Sequence, residues 1–206
     1  MSSDSNSKVR EFMGQVQEKM RTLVEEFALG NLSREQFHVI YDKYNTQLSI
    51  VEHALRGADP ETVMGIAQDG PPTIKLREGY TAKALGMVIY SNRNGTVIET
   101  LGEFDVAADK ISTVLNDLSH MMQANKMVER QVKKISNRHW LAFMPARYTT
   151  VVTLFQNEPS QAQMRQLERL HHDFEEANRS FLQRTTVDAT KLAYPFLVFV
   201  QKKYKA

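Results

Sequence analysis

The densest group of side chains that could do chemistry lies between positions 171 and 176, in a segment with a helical pattern. It consists of His171, His172, Asp173, Glu175 and Glu176. His171 and Glu175 are four residues apart, as are His172 and Glu176, so a helix would bring either pair within reach of one metal ion. A helix supplies only two such ligands, and a third must come from elsewhere. An ordinary solvated helix face is therefore the favoured interpretation, a metal site at His171 and Glu175 is the alternative, and no cofactor is predicted.

A second candidate is the basic segment from Lys126 to Arg147, which contains a single acidic residue, Glu129, and also His139 and Trp140. Its cations are Lys126, Arg130, Lys133, Lys134, Arg138 and Arg147. Basic side chains beside an aromatic ring can bind phosphates or stack a base. Strand alternation sends these charges to different faces, however, and the formal net charge of the chain is only +2. Solvated charge, an acidic protein partner and a nucleic-acid or nucleotide site are the three interpretations, in that order.

The signatures of several enzyme classes are absent from the sequence. The segment Arg147-Tyr148-Thr149-Thr150 joins a cation to two hydroxyls, but it lacks the glycines and the following helix of a phosphate-binding loop. There is no GxxxxGK[ST] motif, no GxSxG motif and no cysteine. A P-loop GTPase, a serine nucleophile elbow, disulfides and thiolate metal sites are therefore not expected, and we predict a protein that is not an enzyme.

The composition is that of an ordinary globular chain. With 206 residues, 42% of them hydrophobic and 24% charged, it can bury a core. No apolar run approaches the roughly 20 residues that span a bilayer. The polar start, MSSDSNSKVREF, contains no apolar signal core. We therefore predict no membrane span and a cytoplasmic location.

Residues 1–57 are predicted to form an antiparallel hairpin of two amphipathic helices. Gly30 suits the end of the first helix, and Ser33 with Gln36 matches a capping box for the second. Both helices carry an apolar stripe: Val9, Met13, Val16, Met20, Leu23 and Phe27 in the first, and Phe37, Ile40, Tyr41, Tyr44, Leu48, Val51 and Leu55 in the second. An isolated hairpin cannot bury both stripes, so it must pack within the chain or against a second copy, and the sequence leaves both open.

Residues 58–85 are predicted to be a linker and docking segment, because 57–72 are rich in Gly, Pro and Asp. Within it, Thr73 to Arg77 is predicted to be a short strand or a docking segment. At the other end, residues 185–206 are predicted to be a C-terminal extension with a basic tail, in which Leu192 to Val200 forms a buried strand or an extended strip across the surface.

Between these flanks, residues 86–184 are predicted to form one α/β module. The runs MVIYS and TVIETL are separated by a turn at Asn94-Gly95, where tight hairpins need positive backbone angles. An amphipathic helix capped by Asp105 follows, then strands at 127–135, 139–144 and 149–155, and then a helix that begins with the capping box of Ser160 and Gln163.

This order carries a resemblance to a known family. The segment GMVIYSNRNGTVIETLGEF and the helix after it, from Asp105 to Gln123, resemble the roadblock family of dynein light chains and bacterial GTPase regulators. The later ISNRHWLAFMPARYTTVVTLF resembles that family's paired strands, and longins have a related layout. The resemblance covers about half of the chain, residues 86–182. It does not account for the N-terminal hairpin or for the tail.

The resemblance implies an α+β fold with a five-stranded antiparallel, profilin-like sheet flanked by helices. It also implies a homodimer that acts as a non-enzymatic scaffold or adaptor, or as a regulator of a Ras-like small GTPase. The residues expected at a partner interface are Leu118, Met121, Met122, Lys133, Arg138 and Arg147.

Two other functions remain open. A sensory module of the PAS or GAF kind would use the same sheet to hold a small ligand, in an apolar cavity lined by Trp140, Phe143 and Met144. A metal-dependent enzyme would be built on His171 and its neighbours.

Overall fold

A computed structural model of the chain describes residues 2–54, 65, 71–124 and 126–200. The described residues form two compact units. Unit 1 comprises those up to Thr81 together with Ser160–Ala162, and unit 2 comprises the others from Ala82 onward. Residues 55–57 of the predicted hairpin, most of the predicted linker before Pro71 and the basic tail 201–206 lie outside the described residues. None of the described helices combines the length and apolar character that crossing a membrane requires.

Unit 1 is built on two long helices, α1 (Ser2–Ala28) and α2 (Arg34–Ala54). The helices run antiparallel, because Val9 packs with Val51 while Phe27, at the other end of α1, stacks on Phe37 with ring centroids 4.6 Å apart. Gly30 lies between them with φ of 75°, as a left-handed helix end requires.

The capping box that starts α2 is confirmed. The backbone N–H of Gln36 donates to the Ser33 hydroxyl over 3.2 Å, and the N–H of Ser33 donates to the Gln36 side-chain oxygen over 3.0 Å. Two donors that the helix itself cannot pair are thereby satisfied.

Of the two alternatives predicted for Thr73 to Arg77, a short strand or a docking segment, the strand is wrong. This segment is a short helix, α3 (Thr73–Gly79), that follows Pro72 at its N-cap. The two β-branched residues at its start favour a strand locally, but Leu76 packs against the core of unit 1 and Arg77 forms an ion pair with Glu26 at 3.1 Å. Tertiary packing therefore overrides the local preference.

Unit 2 contains a five-stranded antiparallel sheet. Its strands are β1 (Lys83–Ser91), β2 (Val97–Gly102), β3 (Gln131–Lys134), β4 (His139–Pro145) and β5 (Thr149–Gln156). They lie in the order β2-β1-β5-β4-β3, so β1, β5 and β4 have a neighbour on both sides. The prediction of an α+β fold with five antiparallel strands is confirmed.

The predicted turn between β1 and β2 is present, and Gly95 has φ of 69°. At the far end of this strand pair, Gly86 lies opposite Gly102. A Cβ atom on Gly86 would lie 2.4 Å from the carbonyl oxygen of Glu103, so the close backbone approach requires glycine at this position.

The sheet is covered on both faces. One face, with Met87, Ile89 and the inward side chains of helix α5 (Gln161–Ala177), forms the larger core. The other face packs on helix α4 (Ala108–Gln123) through Ile111, Val114 and Leu118. Because successive strand residues point to opposite faces, β4 and β5 are buried along almost their whole length.

Several elements of unit 2 differ from the predictions, among them the start of β1, which lies at Lys83 and not at Met87. The N-cap of α4 is Ala107, not Asp105, and no side chain caps it. Strand β3 is limited to four residues, Gln131–Lys134, because only this stretch pairs with β4. The region from Leu192 to Val200 is not a strand.

After α5, the chain continues through helix α6 (Arg179–Leu182) and two 3₁₀ turns, Ala189–Lys191 and Pro195–Val198. Pro195 has no N–H to donate to a sheet and starts the second turn instead. The region is neither a strand nor a strip confined to the surface, because Leu192, Phe196 and Val200 are buried in the core on the α5 face.

Candidate functional site

The chemically richest part of unit 2 is the end of the sheet where the β1–β2 turn meets the β4–β5 turn. Asn92 joins the two turns. Its backbone N–H donates to the carbonyl oxygen of Tyr148 over 2.9 Å, and its side-chain amide donates to that of Ala146 over 2.8 Å. The Thr150 hydroxyl donates to the Asn92 side-chain oxygen over 2.7 Å. With both ends of its side-chain amide engaged, Asn92 holds the two turns in one fixed arrangement.

Beneath these turns, His171, Thr149 and Glu175 form a buried hydrogen-bond network. One Glu175 oxygen accepts the backbone N–H groups of Tyr148 and Thr149 and the Thr149 hydroxyl, each over 2.8 Å. Its other oxygen accepts the N–H of Arg147 over 3.1 Å. A carboxylate thus accepts hydrogen bonds from three successive backbone N–H groups at the entry to β5.

The direction of the hydrogen bonds in this network follows from the carboxylate, which accepts but does not donate. The Thr149 hydroxyl donates to Glu175, so its oxygen accepts from Nε2–H of His171, which lies 2.7 Å away. The other ring nitrogen, Nδ1, is buried and has no partner within the described residues. His171 is therefore assigned as the neutral Nε2–H tautomer.

Burial, helped by the neighbouring His172, lowers the pKa of His171 to about 4. Glu175 lies 3.8 Å from Nε2 and would favour protonation, but its charge is already shared among the three N–H groups and the hydroxyl. The cost of desolvating an imidazolium therefore outweighs the attraction of the carboxylate.

In this geometry the predicted metal ligands, His171 and Glu175, make hydrogen bonds within the protein and do not face a common metal site. His171 and Glu175 do lie together, as their spacing predicts, but both point at Thr149 and are used in the fold. The second predicted pair, His172 and Glu176, does not form a metal site either, because Glu176 accepts a hydrogen bond from Arg179. Across residues 2–54, 65, 71–124 and 126–200, no three His, Cys, Asp or Glu side chains are grouped so as to hold a metal.

A cleft lies on the opposite face of the sheet, between α4 and the β1–β2 turn. This α4 cleft has a volume of about 350 Å³. Its apolar wall includes Ile111, Leu115 and Met122. Its polar groups are uncharged: Tyr90, Ser91, Asn92, Ser112, Asn116, Ser119 and Thr150. Ser112, Asn116 and Ser119 are four and then three residues apart, so the helix presents all three to the cleft.

A second concave region, the basic recess, adjoins the α4 cleft and shares Asn92 and Met122 with it. Its charged lining residues are Arg93, Lys126 and Arg147, and none of the described residues that line it carries a carboxylate. Arg93 is held in place because its guanidinium donates to the carbonyl oxygen of Gln183 over 3.1 Å. Arg147 lies over the Tyr148 ring, with 5.2 Å between the guanidinium carbon and the ring centroid.

The residues predicted at a partner interface do not form one surface. Leu118 is 1% exposed and belongs to the core under α4, so it offers no surface to a partner. Met121 and Met122 are half-buried, whereas Lys133, Arg138 and Arg147 are exposed. Lys133 lies on the edge strand β3, Arg138 in the β3–β4 turn and Arg147 at the basic recess.

The apolar cavity considered for a sensory module does not have the predicted lining. Trp140 and Met144 belong to the core on the α5 face, and Phe143 belongs to the core on the α4 face. Strand alternation places Phe143 opposite the other two, so the three side chains cannot line one cavity.

Sequence reasoning missed Asn92, the role of Glu175 and the polar stripe of α4. The stripe had a readable signal, since three small polar residues recur at helical spacing beside the apolar stripe. The roles of Asn92 and Glu175 had no signal in the sequence. The hydrogen-bond partners of Asn92 lie at least 54 residues away along the chain, and those of Glu175 lie at least 26 residues away. Comparison of the chain with family models, with curated proteins and with solved structures finds no match to any of them.

Proposed function

We propose that this chain is a non-enzymatic protein-interaction module whose partner binds along the edge strand β3. The observation that carries the proposal is the exposure of this strand. All four residues of β3 are exposed, and no strand pairs with its outer side within the described residues. Such an edge presents backbone donors and acceptors to an incoming strand.

The chemistry of the edge indicates an acidic partner. Apolar contacts are offered by Val132, which is 40% exposed, and by Met127, which is 83% exposed. Lys133 and Lys134 follow Val132 on the same strand and Arg138 lies in the β3–β4 turn, and all three are exposed. We name these five residues the β3 surface. Lysines on an edge strand oppose pairing with an identical edge and complement a carboxylate-bearing one.

The family resemblance supports two further parts of the proposal. The element order from β1 to α5 agrees with the order on which the profilin-like, roadblock-type assignment rests. On that assignment the protein acts as a homodimeric adaptor or regulator, and its partner is a Ras-like small GTPase. Because like charges oppose contact between two β3 edges, we place the dimer contact on unit 1, which exposes Val24, Leu29 and Ile74.

Charge reversal on β3 tests the partner surface. The wild-type chain, the Lys133→Glu/Lys134→Glu variant and the Lys75→Glu control are used for affinity capture from the native cell extract. Lys75 is an exposed lysine in unit 1, so its reversal changes net charge without touching β3. We expect acidic proteins, a small GTPase among them, that are held by the wild type and the control but lost by the double variant. Capture of the same proteins by all three chains would overturn the β3 assignment.

Light scattering at tens of micromolar tests the dimer. We expect a dimer for the wild type and a monomer for Leu29→Asp/Ile74→Asp, in which both changed side chains are about 65% exposed and so tolerate the change. Val97→Asp, at an exposed position in unit 2, is the matched control and should remain a dimer. A monodisperse wild-type monomer would refute this part.

A further inference from the structure

The α4 cleft has the size and the chemistry of a small-ligand site. Its volume of about 350 Å³ falls within the range of roughly 300–1,000 Å³ that such sites occupy. The cleft belongs entirely to unit 2, and its walls come from α4, from the β1–β2 turn and from the start of β5. Asn92 fixes the turn side of the cleft, so the cavity is preformed.

The lining of the cleft selects an uncharged, hydrogen-bonding ring system. Ile111, Leu115 and Met122 supply an apolar wall, and Tyr90 supplies an aromatic ring whose pKa is raised by burial. Hydroxyl and amide groups, those of Ser112, Asn116 and Ser119 among them, line the same cleft, and groups of this kind can both donate and accept. Side chains of this kind read the edges of a heterocyclic base, and an aromatic ring stacks on its face.

The charges of the basic recess favour a ligand that carries a negatively charged group beside the part bound in the α4 cleft. Arg93, Lys126 and Arg147 come from three separate segments of the chain and converge on one recess, whose described lining includes no carboxylate. Arg and Lys in such an arrangement bind phosphate through charge-assisted hydrogen bonds. Since the recess and the cleft share Asn92 and Met122, one molecule can occupy both.

We propose that the α4 cleft and the basic recess together bind a mononucleotide, with the base in the cleft beside Tyr90 and Asn116 and the phosphate at Arg93, Lys126 and Arg147. The inference does not depend on the partner proposed for the β3 surface. It rests on the position of the uncharged, preformed α4 cleft beside the positively charged basic recess.

Titration calorimetry on the full chain tests this site with AMP, GMP, CMP and UMP, the four matching nucleosides and ribose 5-phosphate. We expect at least one nucleotide to bind with a Kd below about 1 mM. Its nucleoside and ribose 5-phosphate should each bind about tenfold more weakly, because each lacks one half of the contacts.

Two variants assign the two halves of the site. Ser119→Leu fills the cleft and should abolish binding of nucleotide and nucleoside alike. Lys126→Glu should weaken the nucleotide about tenfold while leaving the nucleoside unchanged. The matched controls are Thr113→Leu and Lys110→Glu, at exposed positions of α4 outside the cleft lining, and both should bind as the wild type does. If circular dichroism shows that Ser119→Leu is unfolded, Ser112→Leu at the exposed rim replaces it.

Three results would overturn the proposal. The first is no binding of any of the four nucleotides at about 1 mM to the folded chain. The second is ribose 5-phosphate binding as tightly as the nucleotides, since the base would then contribute nothing. The third is nucleotide binding that a folded cleft-filling variant, Ser119→Leu or its replacement Ser112→Leu, leaves intact.

Discussion

The buried imidazole of His171 should make the stability of the protein depend on pH in a calculable way. Its pKa is lowered by burial from the ordinary value of 6.5 to about 4. As the pH falls, His171 is therefore protonated near pH 6.5 in the unfolded chain, but only near pH 4 in the folded chain. Between these values the unfolded state binds more protons, so the stability that neutral His171 contributes is complete above pH 6.5 and is lost as the pH falls toward 4.

The magnitude follows from the two pKa values. Moving from about pH 7.5 to about pH 4.5 should remove roughly 2.5 kcal/mol from the free energy of unfolding through this residue alone. Other groups titrate over the same range, so the effect is isolated by comparison with His171→Gln. Glutamine has no proton to gain, and its amide can still donate to the Thr149 hydroxyl.

Urea unfolding followed by circular dichroism measures the difference between the two chains at several pH values. We expect the wild type to be the more stable chain near pH 7.5, and its advantage to shrink by roughly 2.5 kcal/mol near pH 4.5. His172→Gln is the matched control, because His172 is the exposed neighbour, and its difference from the wild type should show no comparable loss. A difference for His171→Gln that is constant with pH would refute the reasoning. An advantage that grows at low pH would mean that His171 becomes charged and pairs with Glu175.

Three other predictions test the packing on which the sites depend. Glu175→Ala should lower the free energy of unfolding in urea by about 3–5 kcal/mol, since it strips the acceptor from buried donors, whereas Glu176→Ala on the exposed side of the same turn should leave it nearly unchanged. Gly86→Ala should lower Tm severely or leave the chain insoluble, because its Cβ would meet the backbone of Glu103; a Tm equal to that of the wild type would contradict the close approach of these two segments. Gly14→Ala, in open space within α1, should instead stabilise unit 1 by about 0.5–1 kcal/mol, and a lower Tm would show that the position is not an exposed helix interior.

The parts of the fold that the sequence could predict are those set by local periodicity and turn chemistry. The stripe of α1, the Ser33–Gln36 capping box and the turn at Asn94-Gly95 are each determined by residues within a few positions of one another. Short apolar and β-branched runs likewise identify the five strands, although they place the limits of β3 too widely because an isolated strand pattern does not show where its neighbour ends.

The candidate sites were harder to predict from the sequence than the fold, because they depend on contacts between segments that are distant along the chain. The i,i+4 spacing of His171 and Glu175 correctly places them together, but the same spacing fits a metal pair, a solvated face and a buried network. Only the position of the β4–β5 turn decides among these, and Thr149 at the end of that turn is 26 residues away from Glu175. The α4 cleft depends in the same way on Asn92, whose link to Ala146 spans 54 residues.

The carboxylate of Glu175 also gives the protein an internal marker of its own assembly. The ladder between β4 and β5 forms between segments that are close in the chain, and it protects its amides as soon as the two strands pair. The amides of Arg147, Tyr148 and Thr149 are different, because their acceptor arrives only with α5, 26 to 28 residues later. Protection of these three amides from hydrogen exchange therefore reports the docking of α5, separately from strand pairing. It distinguishes a chain in which only the sheet has formed from one in which α5 has also packed on the sheet.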